Sequence, residues 1–323
     1  MWTSTELFEY LEPKIPHFGA IEDVFTRHRL DGTRFMALAS KENAWRFQSA
    51  TGIEWALVES LASEAIKIRS GNLRNIASAR LEKIREAKIT PEDLSTPSKD
   101  LINLPFPGVL PFPMDRFEFG AGEIWQYMPR EIFSELLEKV RVFMKETWTA
   151  LWLYGTIGFG KSHVLAALVC YLMQSSYRVI YIPDCRACYK SPVPVLRQAM
   201  ILAWADLPSM VTRIESFDTL DEICWFLEGF SMSDQEPFFV VDQMNALQAS
   251  PSNSQETRQI EDLYNFTQKC TPFCKCIFST SANNHTYLQL TPKQANILRV
   301  NAYGGMTKVT IACIYGPTIP TVI

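Results

Sequence analysis

The chain has 323 residues, of which 47% are hydrophobic and 20% charged, with a net charge of −4. That composition fits a chain with a real core, and at roughly 150 residues per domain its length suggests two domains. Eight cysteines in a chain of this size exclude a disulfide scaffold, and the acidic balance (pI near 5.7) gives no basic field that would indicate nucleic acid. The N-terminus MWTSTELFEYLEPKIP has acidic residues and no basic start before an apolar run, so it is no secretory signal. The longest apolar runs, 149–154 and 164–173, fall short of the ~20 residues of a spanning helix. These features predict a soluble, reduced, intracellular protein, cytoplasmic or nuclear, with no membrane partner.

Three zones follow in chain order. In residues 1–70, Trp2, Leu7, Tyr10 and Leu11 begin a helix. Phe25, Leu30-Asp31-Gly32, Phe35 and Leu38 continue an apolar pattern, and Gly52-Ile53 precede a last helix through Ile68. The reading is an all-α bundle of about five helices, with Gly32 allowing a tight turn. Residues 71–116 carry a charged helical stretch over 73–88, part of the charged run 69–88 read as a solvated helical face, and then LPFPGVLPFP. Four prolines in ten residues are incompatible with helix or central strand, so this zone reads as a helical and extended linker. From 117 to 323 strand-like and helix-like segments alternate, which predicts an α/β domain with a mainly parallel sheet flanked by helices. Strands are expected at 149–154, 178–182, 237–241 and 275–280. Helices are expected at 162–174, 193–206, 217–229 and 254–269.

The segment Gly155-Thr156-Ile157-Gly158-Phe159-Gly160-Lys161-Ser162 matches G-x-x-x-x-G-K-[ST]. Glycines let the backbone wrap phosphate oxygens where a Cβ would interfere, and successive N–H groups form an anion nest at a helix start. Lys161 then reaches the β- and γ-phosphates of a nucleoside triphosphate, ATP before other NTPs, and the Ser162 hydroxyl ligates Mg²⁺. An apolar strand leads in (TALWLY) and an apolar-periodic helix leads out (SHVLAALVCYLM), as this motif requires. His163 closes the binding segment on the helix, its ring read as a packing or surface group.

Phe238-Phe239-Val240-Val241-Asp242 is a buried-strand pattern ending in a carboxylate. On a strand next to the loop strand, Asp242 would hold Mg²⁺. Gln243 follows where many ATPases carry Glu; it cannot take a proton but can orient a water. Asp184, ending RVIYIPD, is the alternative base, and a cap or turn role for it is equally open. The strand ending Ser279-Thr280-Ser281-Ala282-Asn283 could present a γ-phosphate sensor, with Ser281 and Asn283 preferred over plain turn chemistry. Cys185-x-x-Cys188 and the group Cys270, Cys274, Cys276 allow a zinc site to be imagined, but no second C-x-x-C exists. Reduced, buried or partly buried thiols are the reading adopted. His17, His28, His163 and His285 show no ligand spacing, and no arginine finger can be named.

With these residues placed, YGTIGFGKSHVLAALVCYL, RVIYIPDCR, FFVVDQMNAL, IFSTSANN and YGGMT resemble the P-loop NTPase module of crinkler-type effectors and the related retrotransposon-hot-spot proteins, over residues 120–307. The resemblance implies an ATPase-like module, often ahead of a nuclease-like domain, in proteins that often act in nuclei. It gives Lys161 and Ser162 the phosphate and Mg²⁺ roles and Asp242 the Mg²⁺ role, and Gln243 is normal for it. Two departures stand out. The tail KVTIACIYGPTIPTVI has no acid and two prolines and reads as truncated or altered, so no nuclease activity carries over. The ubiquitin-like header typical of crinklers is missing. Residues 1–70 are instead similar to a sterile alpha motif domain, which implies self-association or a protein partner. The resulting expectation is a helical interaction domain, a linker and a Mg²⁺-dependent ATPase of P-loop NTPase fold. The rival is a nucleotide-binding switch or scaffold that does not hydrolyse; a P-loop kinase would need an acceptor site that the sequence does not show.

Overall fold

A computed structural model describes residues 2–15, 18–98, 100–109, 112–120, 123–156, 158–231, 236–248, 253–281 and 297–302. Ile157, Asn283, His17, His285, Cys313 and the YGGMT motif lie outside the described residues, as does the side chain of Ser281. The chain divides into two compact units, Met1–Asn75 and Ile76–Ile323.

The first unit is all helical: α1 (Ser4–Leu11), a 3-10 turn (Phe18–Ile21), α2 (Glu22–Arg27), α3 (Gly32–Ala37), α4 (Lys41–Thr51) and the start of α5 (Trp55–Glu86). Local signals fix the ends. Thr3 and Glu6 form a capping box on α1, Asp31 caps α3 by accepting from the Arg34 N–H, and Gly52 closes α4 at φ +70°. Leu7, Phe18, Phe25, Phe35 and Leu61 meet in one apolar cluster, joined by Leu30 and Leu38. Gly32 serves another purpose than the tight turn expected of it. It opens α3 with its N–H bonded to the Trp2 carbonyl (2.9 Å), and a Cβ there would press on the Trp2 backbone at 3.1 Å.

α5 runs without a break through Ile68, Gly71 and the expected linker boundary, so one glycine, costing about 1 kcal/mol, does not end it. Residues 76–116 fold into the second unit. Ala77, Leu81, Ile84, Ile89 and Leu94 are buried, and Arg80, 2% exposed, donates to the carbonyls of Phe106 and Gly108 (2.9 and 3.2 Å) and pairs with Glu123. The proline-rich stretch is therefore anchored. Its β1 (Ile102–Pro105) pairs antiparallel with β2 (Ile124–Tyr127), and Phe106 packs edge-on to Phe112, Phe117 and Phe119. Proline is tolerated because this two-stranded sheet has only edges.

The main sheet contains β3 (Ala150–Gly155), β4 (Val179–Ile182), β5 (Phe238–Val241), β6 (Lys275–Ser281) and β7 (Ile297–Ala302), all parallel, in the order β4-β5-β6-β3-β7. β3, β4 and β5 are buried at every position, as strands covered on both faces must be. The helices are α6 (Pro91–Ser95), α7 (Ile132–Lys145), α8 (Lys161–Gln174), α9 (Cys185–Lys190), α10 (Pro192–Ala203), α11 (Pro208–Glu215), α12 (Leu220–Glu228) and α13 (Ser254–Cys270). α8 packs on β4 and β6, and α7 on β3 and β7. One expectation changes here. The strand that carries Asp242 is not next to the loop strand, because β6 lies between them.

Candidate functional site: a phosphate loop with a compensated carboxylate

β3 ends at Gly155, paired with Ser281 of β6 and Ala302 of β7, and the loop then turns into α8. Gly158 and Gly160 take φ of +82° and +86°, the left-handed region that L-residues avoid. At Gly160 a Cβ would also run into the Arg130 guanidinium, which donates to the Phe159 carbonyl. No side chain caps α8, so a bound anion is what would satisfy its start. Lys161 folds back over the loop, its Nζ donating to the carbonyls of Gly155 and Thr156 at 2.8 Å each. Burial lowers its pKa, opposed by the charge of Asp242.

Gly158, Gly160, Lys161 and Ser162 share a cavity of about 580 Å³ with Asp242 and Gln243. These are residues from the C-terminal ends of parallel strands and from the loop that follows one of them, the edge where α/β sheets bind ligands. Asp242 is 1% exposed. Its Oδ1 accepts from the Ser279 hydroxyl and from the Gln243 N–H (3.0 Å), while Oδ2 accepts from Arg116 Nη1 (3.1 Å). Gln243 reaches this position at φ +62°, a sparsely populated conformation for a non-glycine residue. Its N–H also bonds Ser279 Oγ at 3.1 Å.

Asp184, the alternative base, does not line the cavity. It caps α9 by accepting from the Arg186 N–H (2.9 Å) and pairs with Arg116 at 3.3 Å. His163 lines the cavity with its ring stacked on Phe117 (4.7 Å) and edge-on to Trp125 (5.5 Å). Burial, with the nearby charges of Arg130 and Arg116, brings its pKa down to about 4, so it is neutral at pH 7. The described cysteines are buried free thiols, and among the described residues no group of three or more His, Cys, Asp or Glu gathers to hold a metal. No helix among them is long and apolar enough to cross a membrane.

The sequence reading missed Arg116 and Arg130, and it held Thr280 only within the sensor segment, behind Ser281 and Asn283. Arg116 is delivered by a turn in which the Pro113 carbonyl accepts from the N–H groups of Arg116 and Phe117 (3.0 and 3.2 Å). Thr280, 1% exposed, lines the cavity with a buried hydroxyl that bonds to nothing among the described residues. The strand-to-polar transition at 279–281 marked that region; nothing in the local sequence marked the arginines.

The parallel sheet, the glycine loop that opens α8 and the carboxylate at the head of β5 make this a P-loop NTPase fold. No protein-family model matches the chain, and no curated protein matches it in sequence. Among solved structures, a DNA replication initiation factor is similar at 14% identity and a TM-score of 0.30, over 54% of this chain and 47% of that one. C. elegans PCH-2 is similar at 12% identity and a TM-score of 0.33, over 66% of this chain and 51% of that one. The chain thus spans about half the length of each of these structures.

Proposed function

We propose that this protein binds a nucleoside triphosphate, ATP first, together with Mg²⁺, and hydrolyses it to the diphosphate and phosphate. The observation that carries the reading is the shared cavity. A backbone nest with two left-handed glycines, a lysine and a hydroxyl opens onto the same space as a buried carboxylate. The oxygen donors Ser162 and Asp242 suit a hard divalent cation such as Mg²⁺. When bound, that ion neutralises charge on the phosphates. Lys161 leaves the carbonyls of Gly155 and Thr156 for the β- and γ-phosphates. The α8 N-terminus and the loop N–H groups hold the phosphate oxygens in place. Gln243 orients water for in-line attack, and Thr280 offers its unpaired hydroxyl to the phosphate end.

One observation favours a slow or non-hydrolysing switch. The described cavity lining has Gln243 where a base would stand, and both oxygens of its carboxylate, Asp242, already accept hydrogen bonds. Phosphate release separates the two readings: several turnovers per hour exclude the pure switch. Lys161→Ala is expected to weaken nucleotide binding about 30- to 100-fold, the ~2–3 kcal/mol of charge-assisted hydrogen bonds, as measured by titration calorimetry with and without Mg²⁺. An unchanged affinity would remove the mechanism.

The finer assignment rests on motif order. The P-loop, IPDCR, VDQMNAL and IFSTSANN support a crinkler-like NTPase module, with Gln243 native to it. The all-helical first unit, with Phe25, Leu30, Phe35 and Leu38 in one core, supports a sterile alpha motif-like body that self-associates or binds a protein.

A further inference from the structure

Arg116 is used by none of the roles above, yet it makes the densest set of polar contacts at the site. Nη1 donates to the Pro183 carbonyl (2.7 Å) and to Asp242 Oδ2 (3.1 Å), Nη2 lies 3.3 Å from Asp184 Oδ2, and Nε lies 3.4 Å from Asp115 Oδ1. Its side chain is 13% exposed and that of Asp242 1%, so the pair is largely withdrawn from water. A carboxylate buried this deeply needs a compensating charge. Oδ1 is spoken for by Ser279 and Gln243, which leaves Oδ2 as the direction from which a cation would approach, and Arg116 holds it.

We infer that Arg116 is the resident counter-ion of Asp242: it fills the charge position of the divalent cation while no nucleotide is bound, and gives it up to the metal only when phosphates arrive. This rests on the nucleotide reading above. Three features of the site make the exchange feasible. On releasing Oδ2, Arg116 keeps Pro183, Asp184 and Asp115, so it is neither expelled nor left without partners. It lines the same cavity as the loop, so a guanidinium freed from Asp242 faces the incoming phosphates, for which its planar fork is suited. Finally, the cavity lining carries Lys161, Arg116 and Arg186 against the carboxylate of Asp242, so a bare divalent cation meets a lining with more positive than negative side chains, whereas a triphosphate reverses that sign.

The test uses Mn²⁺ as the probe, on the full chain without nucleotide, read by the loss of free-Mn²⁺ electron paramagnetic resonance signal. Wild-type protein is expected to bind Mn²⁺ no better than Asp242→Asn. Arg116→Gln is expected to bind it at least about tenfold more tightly, and the double variant Arg116→Gln/Asp242→Asn to lose that gain. Equal Mn²⁺ affinity in wild type and a folded Arg116→Gln overturns the inference. If Arg116→Gln does not fold, the comparison of wild type with Asp242→Asn decides alone: wild type binding Mn²⁺ measurably more tightly shows Asp242 open without nucleotide and overturns the inference too. Because none of these measurements contains nucleotide, a failure of ATP binding would refute the nucleotide reading separately, without altering the Mn²⁺ result.

Discussion

The two units bury different chemistry. Among the described residues, the first closes on apolar side chains, with Leu7, Phe25, Phe35 and Leu61 at its centre. The second buries Arg80, Asp242, Thr267, Ser279 and Thr280 among its aliphatic and aromatic core. A buried ion pair such as Arg116–Asp242 contributes little or nothing to stability compared with apolar packing. Among the described residues, the second unit carries such a pair around a carboxylate 1% exposed, and the first has no buried charged residue.

The largest expected effect tests that separation in the first unit. Phe35, fully buried, when replaced by Ala should lower the stability of that unit by about 3–5 kcal/mol while leaving nucleotide affinity unchanged. Chemical denaturation and a nucleotide titration on the same sample check both halves, and a parallel loss of affinity would break the comparison.

A smaller effect lies in the second unit and depends on pH. His163 is held neutral, with a folded pKa of about 4 against about 6.5 when unfolded. The unfolded chain therefore binds more protons between these values. The contribution is fully present above pH 6.5 and is lost as pH falls towards 4, amounting to roughly 2–3 kcal/mol. His163→Phe, which keeps a ring against Phe117, should flatten that part of the stability–pH curve. A slope identical to wild type would show that the imidazole is not the group responsible.

Smaller again is Gly160→Ala, which forces an L-residue to φ +86° and drives a methyl group at Arg130. A loss of about 1–2 kcal/mol is expected, together with weaker nucleotide binding. A neutral result would mean the loop reshapes freely and would blunt the contrast between the rigid site and the packed bundle.

How much of this was legible in the sequence depended on how far apart the cooperating residues lie. The loop from Gly155 to Ser162 is one contiguous stretch whose chemistry is written in residue types, and Asp242 follows a run of four apolar residues, so both could be found locally. Arg116 and Arg130 come to the loop from upstream, through a proline turn and a helix approach, and no periodicity announces them. The expected linker failed as a linker for a similar reason: Arg80, from the preceding helix, supplies the donors that the proline-rich carbonyls need. β7 was readable, since Leu298, Val300 and Ala302 alternate with less buried neighbours as an amphipathic strand does, but a short alternation is easily passed over. The position of β6 between β3 and β5 has no local signature at all.

That interposed strand has a mechanical consequence. The loop strand and the carboxylate strand never touch within the sheet, so whatever passes between them by way of the backbone passes along β6. At its tip Ser279 is tied to Asp242 and to Gln243, while Thr280 pairs in register with Tyr154, one residue before Gly155. Under the proposed exchange of cations at Asp242, the pull on the Ser279 hydroxyl would change with it. β6 is thus the strand that meets both the carboxylate, through Ser279, and the strand that leads into the loop, through Thr280 opposite Tyr154.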